Sequence, residues 1–534
     1  MFRKAPIISL FFALFAPFAV NFTSAADPTY WQDVRPIFRK NCTVCHSVRN
    51  LREPEVSAGL ALDTYASAMK GVKRPILIAG KSSQSLIMAM LREKDANKRM
   101  PLDAKPLPEE DIQVIARWID SGAKEGTKPE ELTSAATGRT PSAHMRTLPV
   151  TFPFKISKLP QLEFVLPVGP LPPVAAVAYS PDGTLLAVGS YGRVMIWNAK
   201  EGRPVQALTQ VLGQVNDLKF SPDGTLLAVA GGQPSARGDL RLFSTNDWKL
   251  VENLGGHLDV VSSVCFTADG KTLASASFDK TVRIWDLASK QVKQTITGHS
   301  DFVYSVAFNP KGDWLVTASK DRTVRLSDTA TGQSKLTFSG MEQDVLAVAV
   351  SPDGKCVVSS GYEPAIFSWN PQTGEQGKKQ GGHDVAVFEL AFDRAGKLLV
   401  SAGGDKTVRL WNGNTGEPIR SLAAGSMVYT VAIHPDGQQV AAGCFDGMVR
   451  IWETTGGRPL LTLVSPPAVG ANIDWLALTP EGYLAGNDHL LNRGQWRSAG
   501  KPIDAKSIWA TLRQPAQIVK AFQGEKVPDP IFSK

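Results

Sequence analysis

Residues 256–286 run GHLDVVSSVCFTADGKTLASASFDKTVRIWD. Two short apolar runs, Val264-Cys265-Phe266 and Leu273-Ala274-Ser275, flank an Asp269-Gly270 turn, the strongest short-range hairpin signal. A third run, Val282-Arg283-Ile284-Trp285-Asp286, follows Asp279. The unit recurs. Equivalent turn glycines stand at Gly183, Gly224, Gly270, Gly312, Gly354, Gly396 and Gly437, spaced by 41, 46, 42, 42, 42 and 41 residues. An insertion around Gly231 to Asp239 accounts for the one long interval. A period of about 40 to 45 residues with four strands per unit predicts a β-propeller. One unit cannot bury both of its faces, and closing a ring of them removes most free edges.

Seven repeats are complete. Residues 474–483 (DWLALTPEGY) imitate the start of an eighth, but no clear third strand follows. The expectation is seven blades followed by a C-terminal extension, with eight blades as the alternative. Residues 161–166 (QLEFVL) alternate like an outer strand that could close the ring against the last blade. The repeats resemble WD repeats: Asp279 to Trp285, Asp405 to Trp411 and Asp446 to Trp452 keep one spacing. The resemblance implies that the His, the turn Asp and the Trp tie the strands of a blade together. His257, His299 and His383 are then structural and not metal ligands. Ser327 occupies the Trp position of the fourth repeat, so that blade should lack the full network.

The chain is too long for one core: 534 residues, 43% hydrophobic and 20% charged, predict a soluble protein of two or more domains. Arg3 and Lys4, an apolar run over residues 7–20, then Ser24, Ala25 and Ala26 have the form of a secretory signal, with a retained anchor as the alternative. The mature protein should start near Asp27, outside the inner membrane and periplasmic or otherwise exported. It should carry no transmembrane segment, since no later stretch approaches about 20 apolar residues. The net charge of +8 is scattered, which argues against nucleic acid as a partner. Cys265, Cys356 and Cys444 fall in three repeats at strand positions, where buried free thiols are expected.

Cys42-Thr43-Val44-Cys45-His46 is a C-x-x-C-H motif. Two thiols three positions apart can add to the two vinyl groups of one porphyrin, and the next histidine then lies under the iron. A zinc site would want a second pair of ligands, and no further Cys or His occurs before His144. A thioredoxin-like site would not need His46. One covalently bound haem c is therefore expected, on Cys42 and Cys45, with His46 as proximal ligand. Residues 30–38 and 109–119 have the pattern of helices flanking it. Met100, before the last helix, suits the sixth position. Met88 and Met90 compete from a stretch (residues 86–91) patterned as a packed helix.

Residues 31–122 resemble the planctomycete-type cytochrome c domain. The shared features are Val34 to Ile37 before the haem motif, Gly59-Leu60-Ala61-Leu62-Asp63, the run Gly80 to Leu86, Met100-Pro101, and a helix ending WIDSGA at Ala123. The resemblance implies a small all-α domain with His46 and Met100 as axial ligands of the iron. Leu102 departs from it, since the family often has a second proline there.

The expected organisation is a signal peptide (1–26), a cytochrome c domain (27–126), a linker (127–160), a propeller (161–466) and an extension (467–534). The function expected is one-electron transfer, as a carrier or redox subunit whose propeller binds a protein redox partner. The alternatives are an oxidoreductase with a second cofactor or active site in the propeller, and a haem-based redox or gas sensor. No nucleophile triad, nucleotide loop or paired carboxylate site stands out in the repeats. Aligning the repeats on their turn glycines locates a candidate docking surface. Eight and ten residues before the glycine, repeats four to seven supply Phe302, Tyr304, Leu346, Phe388, Met427 and Tyr429, where repeats one to three have mostly small or polar groups. An apolar arc on one face of the ring is expected, for a partner protein or for the chain's own haem domain.

Overall fold

A computed structural model describes residues 27–35, 37–38, 62, 65–70, 76–95, 100, 106–126, 150–156, 159–467, 473–503 and 506–532. The chain divides into two compact units, residues 1–143 and 144–534.

In the second unit each repeat folds into one antiparallel four-stranded sheet, and seven such blades follow in chain order. Their innermost strands are Ala176–Tyr179, Gln214–Phe220, Val261–Phe266, Val303–Phe308, Val345–Val350, Val387–Phe392 and Val428–Ile433. Each leads into its repeat's glycine turn, and all seven turn glycines have φ between +68° and +75°. A side chain there would be strained, so the glycine recurs.

The ring closes where blade 7 meets blade 1. Val174 N donates to the Cys444 carbonyl (3.1 Å), and Val177 N to Thr430 Oγ1 (3.2 Å). No strand crosses between the first and last blades among the described residues. The seam is instead sealed by an apolar cluster joining Val177, Leu186 and Trp197 of blade 1, Ile451 and Leu461 of blade 7, and Ile518 and Phe522 of the C-terminal helix Pro515–Phe522. Arg458 and Gln439 fix that helix's end by donating to Gly524 O (2.8 Å) and Phe522 O (2.9 Å).

Two expectations need correction. Residues 161–166 do not close the ring. The strand Leu159–Leu166 pairs with Val150–Ile156 on one side and Gln495–Ser498 on the other, forming a separate small sheet. Blade 7 already has its own fourth strand, Pro459–Val464, whose outer edge is capped by Leu476–Leu478 and then Leu484–Gly486. The imitation of an eighth repeat is thus local: it copies a turn, with Gly482 N donating to Thr479 O (3.0 Å), and widens blade 7 to six strands. The stretch expected as linker is also shorter, because Val150–Ile156 is already strand. The three repeat cysteines are free thiols; Cys444 is buried, and Cys265 and Cys356 are half-buried.

In the first unit the described residues form short helices packed on Tyr30, Phe38, Ile115, Trp118 and Ile119. The helix Glu109–Asp120 opens on three acidic residues, favourable at a positive helix N-terminus, and buries Ile112, Ile115, Trp118 and Ile119. Its end grips the segment before the helix Leu86–Leu91: Ser82 Oγ donates to Asp120 Oδ2 (2.7 Å) and Gly80 N to Ile119 O (2.6 Å).

Candidate docking face and channel

The ties inside the blades match the expected pattern. His257 bridges Asp279 (Nδ1 to Oδ2, 2.8 Å) and Ser275 (Nε2 to Oγ, 2.8 Å), and Trp285 Nε1 donates to the same Ser275 hydroxyl (2.8 Å). His383, Asp405, Ser401 and Trp411 repeat the arrangement in blade 6. In blade 4, His299 holds Asp321 and Thr317, and Ser327 stands at the Trp position, so no indole bond completes the set. In blade 5 Trp369 still donates to Ser359 (2.8 Å), whose hydroxyl meets Met341 where a histidine would stand. All three histidines are therefore spent on fold.

The innermost strands present two belts to the channel. In blades 2 to 7 the register with the neighbouring strand slips at one residue: Asn216, Ser262, Tyr304, Leu346, Phe388 and Tyr429 are the extra residues of β-bulges. A bulge re-aims its side chain, which is why these positions leave the packed face and stay half-buried. Polar groups hold blades 2 and 3, where Ser262 Oγ donates to Val303 O (2.6 Å). Rings and apolar groups occupy blades 4 to 7.

One residue beyond each bulge lies a second belt of inter-blade bonds. Val264 N donates to Asp217 (2.9 Å), Val306 N to Ser263 (3.4 Å), Val348 N to Ser305 (3.3 Å) and Val431 N to Glu389 (2.8 Å). Below it, five alanines (Ala178, Ala307, Ala349, Ala391 and Ala432) leave space for Lys219, whose Nζ sits 2.9 Å from Asp217 and 3.8 Å from Glu389. Burial alone would lower the Lys219 pKa, but Asp217 and Glu389 reverse it and the net shift is upward. Burial pushes the Glu389 carboxyl up despite the nearby lysine. The cavity at this level measures about 630 Å³.

The upper face contains aromatic residues that the turn-glycine alignment did not single out. Eight residues after the glycines of blades 1, 3, 5 and 7 stand Tyr191, Phe278, Tyr362 and Phe445, on the loops between second and third strands. The positions of the last three follow from the backbone. Phe278 N donates to Val260 O, Tyr362 N to Asp344 O and Phe445 N to Met427 O (3.0, 3.2 and 2.9 Å), pinning each loop beside the preceding inter-blade loop. Phe278 stacks on Phe302 of the next blade (4.8 Å, 10° between planes) and meets Tyr304 edge-on. Tyr429 lies against Phe388 (5.2 Å) and Phe445 (6.1 Å). Gly404 makes room for Phe388, since a Cβ there would approach its ring to 3.2 Å. Tyr362 and Phe445 are about half exposed, at 47% and 49%. The six residues of the expected arc thus sit half-buried at one channel mouth.

Of the other expected site residues, Met100 is half-buried against the core of the first unit, with its backbone N–H on Met90 O (3.0 Å). Cys42, Cys45 and His46 lie outside the described residues, as does the segment expected as signal peptide. Among the described residues no cluster of His, Cys, Asp or Glu is placed to hold a metal, and no helix is long and apolar enough to cross a membrane.

Seven blades in chain order, with the full tie of His, Asp, Ser and Trp in blades 3 and 6 and parts of it in blades 4 and 5, define a WD-repeat β-propeller. The family described as WD domain, G-beta repeat, matches residues 167–198, 202–244, 248–286, 290–328, 332–370, 374–412 and 416–453, and the chain belongs to it. It is similar to transducin beta-like protein 3 of Bos taurus, 31% identical over 124 residues, which is 23% of this chain and 15% of that protein. An uncharacterised WD repeat-containing protein of Synechocystis is 30% identical over 124 residues, 23% of this chain and 34% of that one. The target of rapamycin complex subunit wat1 of Schizosaccharomyces pombe is 30% identical over 121 residues, 22% and 38% of the two chains. The chain spans 38% or less of the length of these three relatives. Proteins of this family typically bind protein partners, and among the described residues the exposed aromatic side chains Tyr191, Tyr362 and Phe445 lie on the loops of the upper face.

Proposed function

We propose that this chain is an exported c-type cytochrome of the planctomycete type fused to a propeller, a one-electron carrier or redox subunit whose propeller docks a protein redox partner. The observation that carries the reading is the C-x-x-C-H motif at residues 42–46, followed by Met100 half-buried on a small helical core. Two thiols, an imidazole and a thioether are the donor set that a covalently held haem takes up. Cys42 and Cys45 would hold the porphyrin, and His46 and Met100 the iron. When bound, the group supplies one-electron chemistry.

This chain's own residues supply the surroundings. Tyr30, Phe38, Tyr65 and Trp118 pack within 6.4 Å of one another, centroid to centroid along the cluster, and offer an apolar wall that excludes water. Tyr30 donates its hydroxyl to Leu62 O (2.8 Å), which anchors part of the Gly59–Asp63 motif to the first helix. The pairing of Ser82 with Asp120 joins two more of the motifs that carry the cytochrome resemblance. The propeller supplies a rigid face for the partner.

The test is the purified full chain. A low-spin haem c spectrum, with haem retained by the polypeptide on a denaturing gel and lost in Cys42→Ala/Cys45→Ala, is the expected result. A chain without a haem spectrum, or haem still attached in the double variant, would refute the assignment.

A further inference from the structure

The docking face described above has a particular chemistry at its centre. Tyr304 directs its hydroxyl toward Asp344 (3.5 Å to Oδ2). Its pKa is raised first by burial, and then by the charges of Asp344, Tyr362 and Asp301. The Tyr429 hydroxyl is raised by burial and by Tyr362. Three tyrosines from blades 4, 5 and 7 therefore share one mouth with phenylalanines 278, 302, 388 and 445. Asp301 is neutralised by Lys320 (3.5 Å) and Glu363 by Lys379 (3.2 Å), whereas Asp344 meets no cationic side chain among the described residues. The rim already holds one cation against a ring: Lys320 Nζ lies 4.7 Å from the centre of Phe302. Ring faces carry negative quadrupole potential, and a half-exposed carboxylate beside them adds to it.

We infer that the upper mouth of the channel binds a basic side chain of the protein partner, its cationic head held among the rings of Tyr304, Tyr362, Phe388 and Tyr429 and neutralised by Asp344. A purely apolar partner would leave the Asp344 charge desolvated with only the long bond from the Tyr304 hydroxyl, which is costly. The inference rests on the proposal that this face docks a partner, and it names what enters the mouth.

The experiment titrates the full chain with Nα-acetyl-arginine amide and, as an uncharged isostere, Nα-acetyl-citrulline amide, followed by saturation-transfer NMR at low ionic strength. The arginine compound should bind saturably and the citrulline compound about tenfold more weakly or not at all. Asp344→Asn should bring arginine down to the citrulline level. Tyr429→Phe should keep binding and Tyr429→Leu should lose it, with circular dichroism confirming that each variant is folded. Equal binding of the two compounds, no saturable binding of either, or an Asp344→Asn variant that binds arginine unchanged would overturn the inference. A chain that holds its protein partner and releases it in Phe302→Ala/Tyr304→Ala, yet treats arginine and citrulline alike, would keep the docking face and overturn only its cationic occupant.

Discussion

Lys219 of blade 2 reaches Glu389 of blade 6 at the channel, Nζ to Oε1 3.8 Å, so two blades that are not neighbours in the ring are joined by one ion pair. With Asp217 at 2.9 Å the lysine serves two carboxylates, both already accepting backbone N–H groups of the following blade. Lys219→Met would leave those carboxylates without their counter-charge. The expected loss is about 1–3 kcal/mol, kept below the cost of a fully buried pair because the lysine side chain is 39% exposed. Denaturant titration by tryptophan fluorescence measures it. Lys219→Met/Glu389→Gln should recover part of the loss, and no recovery would show that the cross-channel pair is not coupled.

The Ser275 hydroxyl serves both His257 and Trp285 in blade 3. Ser275→Ala strands two buried donors or acceptors at once and should cost about 2–4 kcal/mol. Its counterpart Ser401→Ala in blade 6 should cost a similar amount, while Ser327→Ala in blade 4, outside such a network, should be nearly silent. Midpoints of chemical denaturation for the three variants check the ranking.

Acid should weaken the propeller in a way that traces to its turns. Asp223, Asp269 and Asp353 each accept a hydroxyl two residues back (2.6 Å) and a backbone N–H two residues on. The bond from Ser221, Thr267 or Ser351 favours the charged form most, and each carboxyl is held below its ordinary value. A folded-state value below the unfolded one means that the contribution is complete above the unfolded pKa of about 3.9 and lost as pH falls through the folded value. The triple Asp→Asn variant should therefore lose stability less steeply than wild type between about pH 5 and pH 2. A wild-type advantage that stays constant to the acid end contradicts this.

The C-terminal helix is a structural part of the ring. Phe522 is buried against Trp197, 6.3 Å between ring centroids, at the seam between blades 7 and 1. Phe522→Ala should cost about 3–5 kcal/mol. Deleting residues 506–534 should cost more and expose the seam, seen as cleavage near residues 170–200 in limited proteolysis.

Docking itself is tested by Phe302→Ala/Tyr304→Ala. With the partner identified and purified, its affinity should fall by about 2–4 kcal/mol while the melting temperature barely changes. A markedly lower melting temperature with affinity intact would make these rings core.

How much of this was visible beforehand depends on how local the cause is. The seven turns were legible because one glycine at positive φ decides each of them, with an aspartate directly before it in all but blades 4 and 6. The positions of Tyr304, Phe388 and Tyr429 were legible as a column, but their bulges were not, since a bulge is a slip between two strands and leaves no residue signature here. Phe278, Tyr362 and Phe445 were equally regular, eight residues after the glycine. What makes them part of the same surface is a backbone bond to a loop 18 residues earlier, which an alignment anchored on the preceding strand does not reach. The sheet of Val150–Ile156, Leu159–Leu166 and Gln495–Ser498 was hidden for a related reason: its partners lie more than 300 residues apart.

Because no strand is exchanged at the seam among the described residues, chain order and blade order coincide, and closure waits until blade 7 and the helix Pro515–Phe522 have been made. The Val177 amide finds Thr430 only 253 residues later, and Phe522 arrives later still. At about 5–20 residues per second the first blade waits roughly 10–50 s with an apolar flank uncovered. A product that stops before Pro515 should leave that flank uncovered. The helix Pro515–Phe522 thus couples closure of the ring to synthesis of every blade before it.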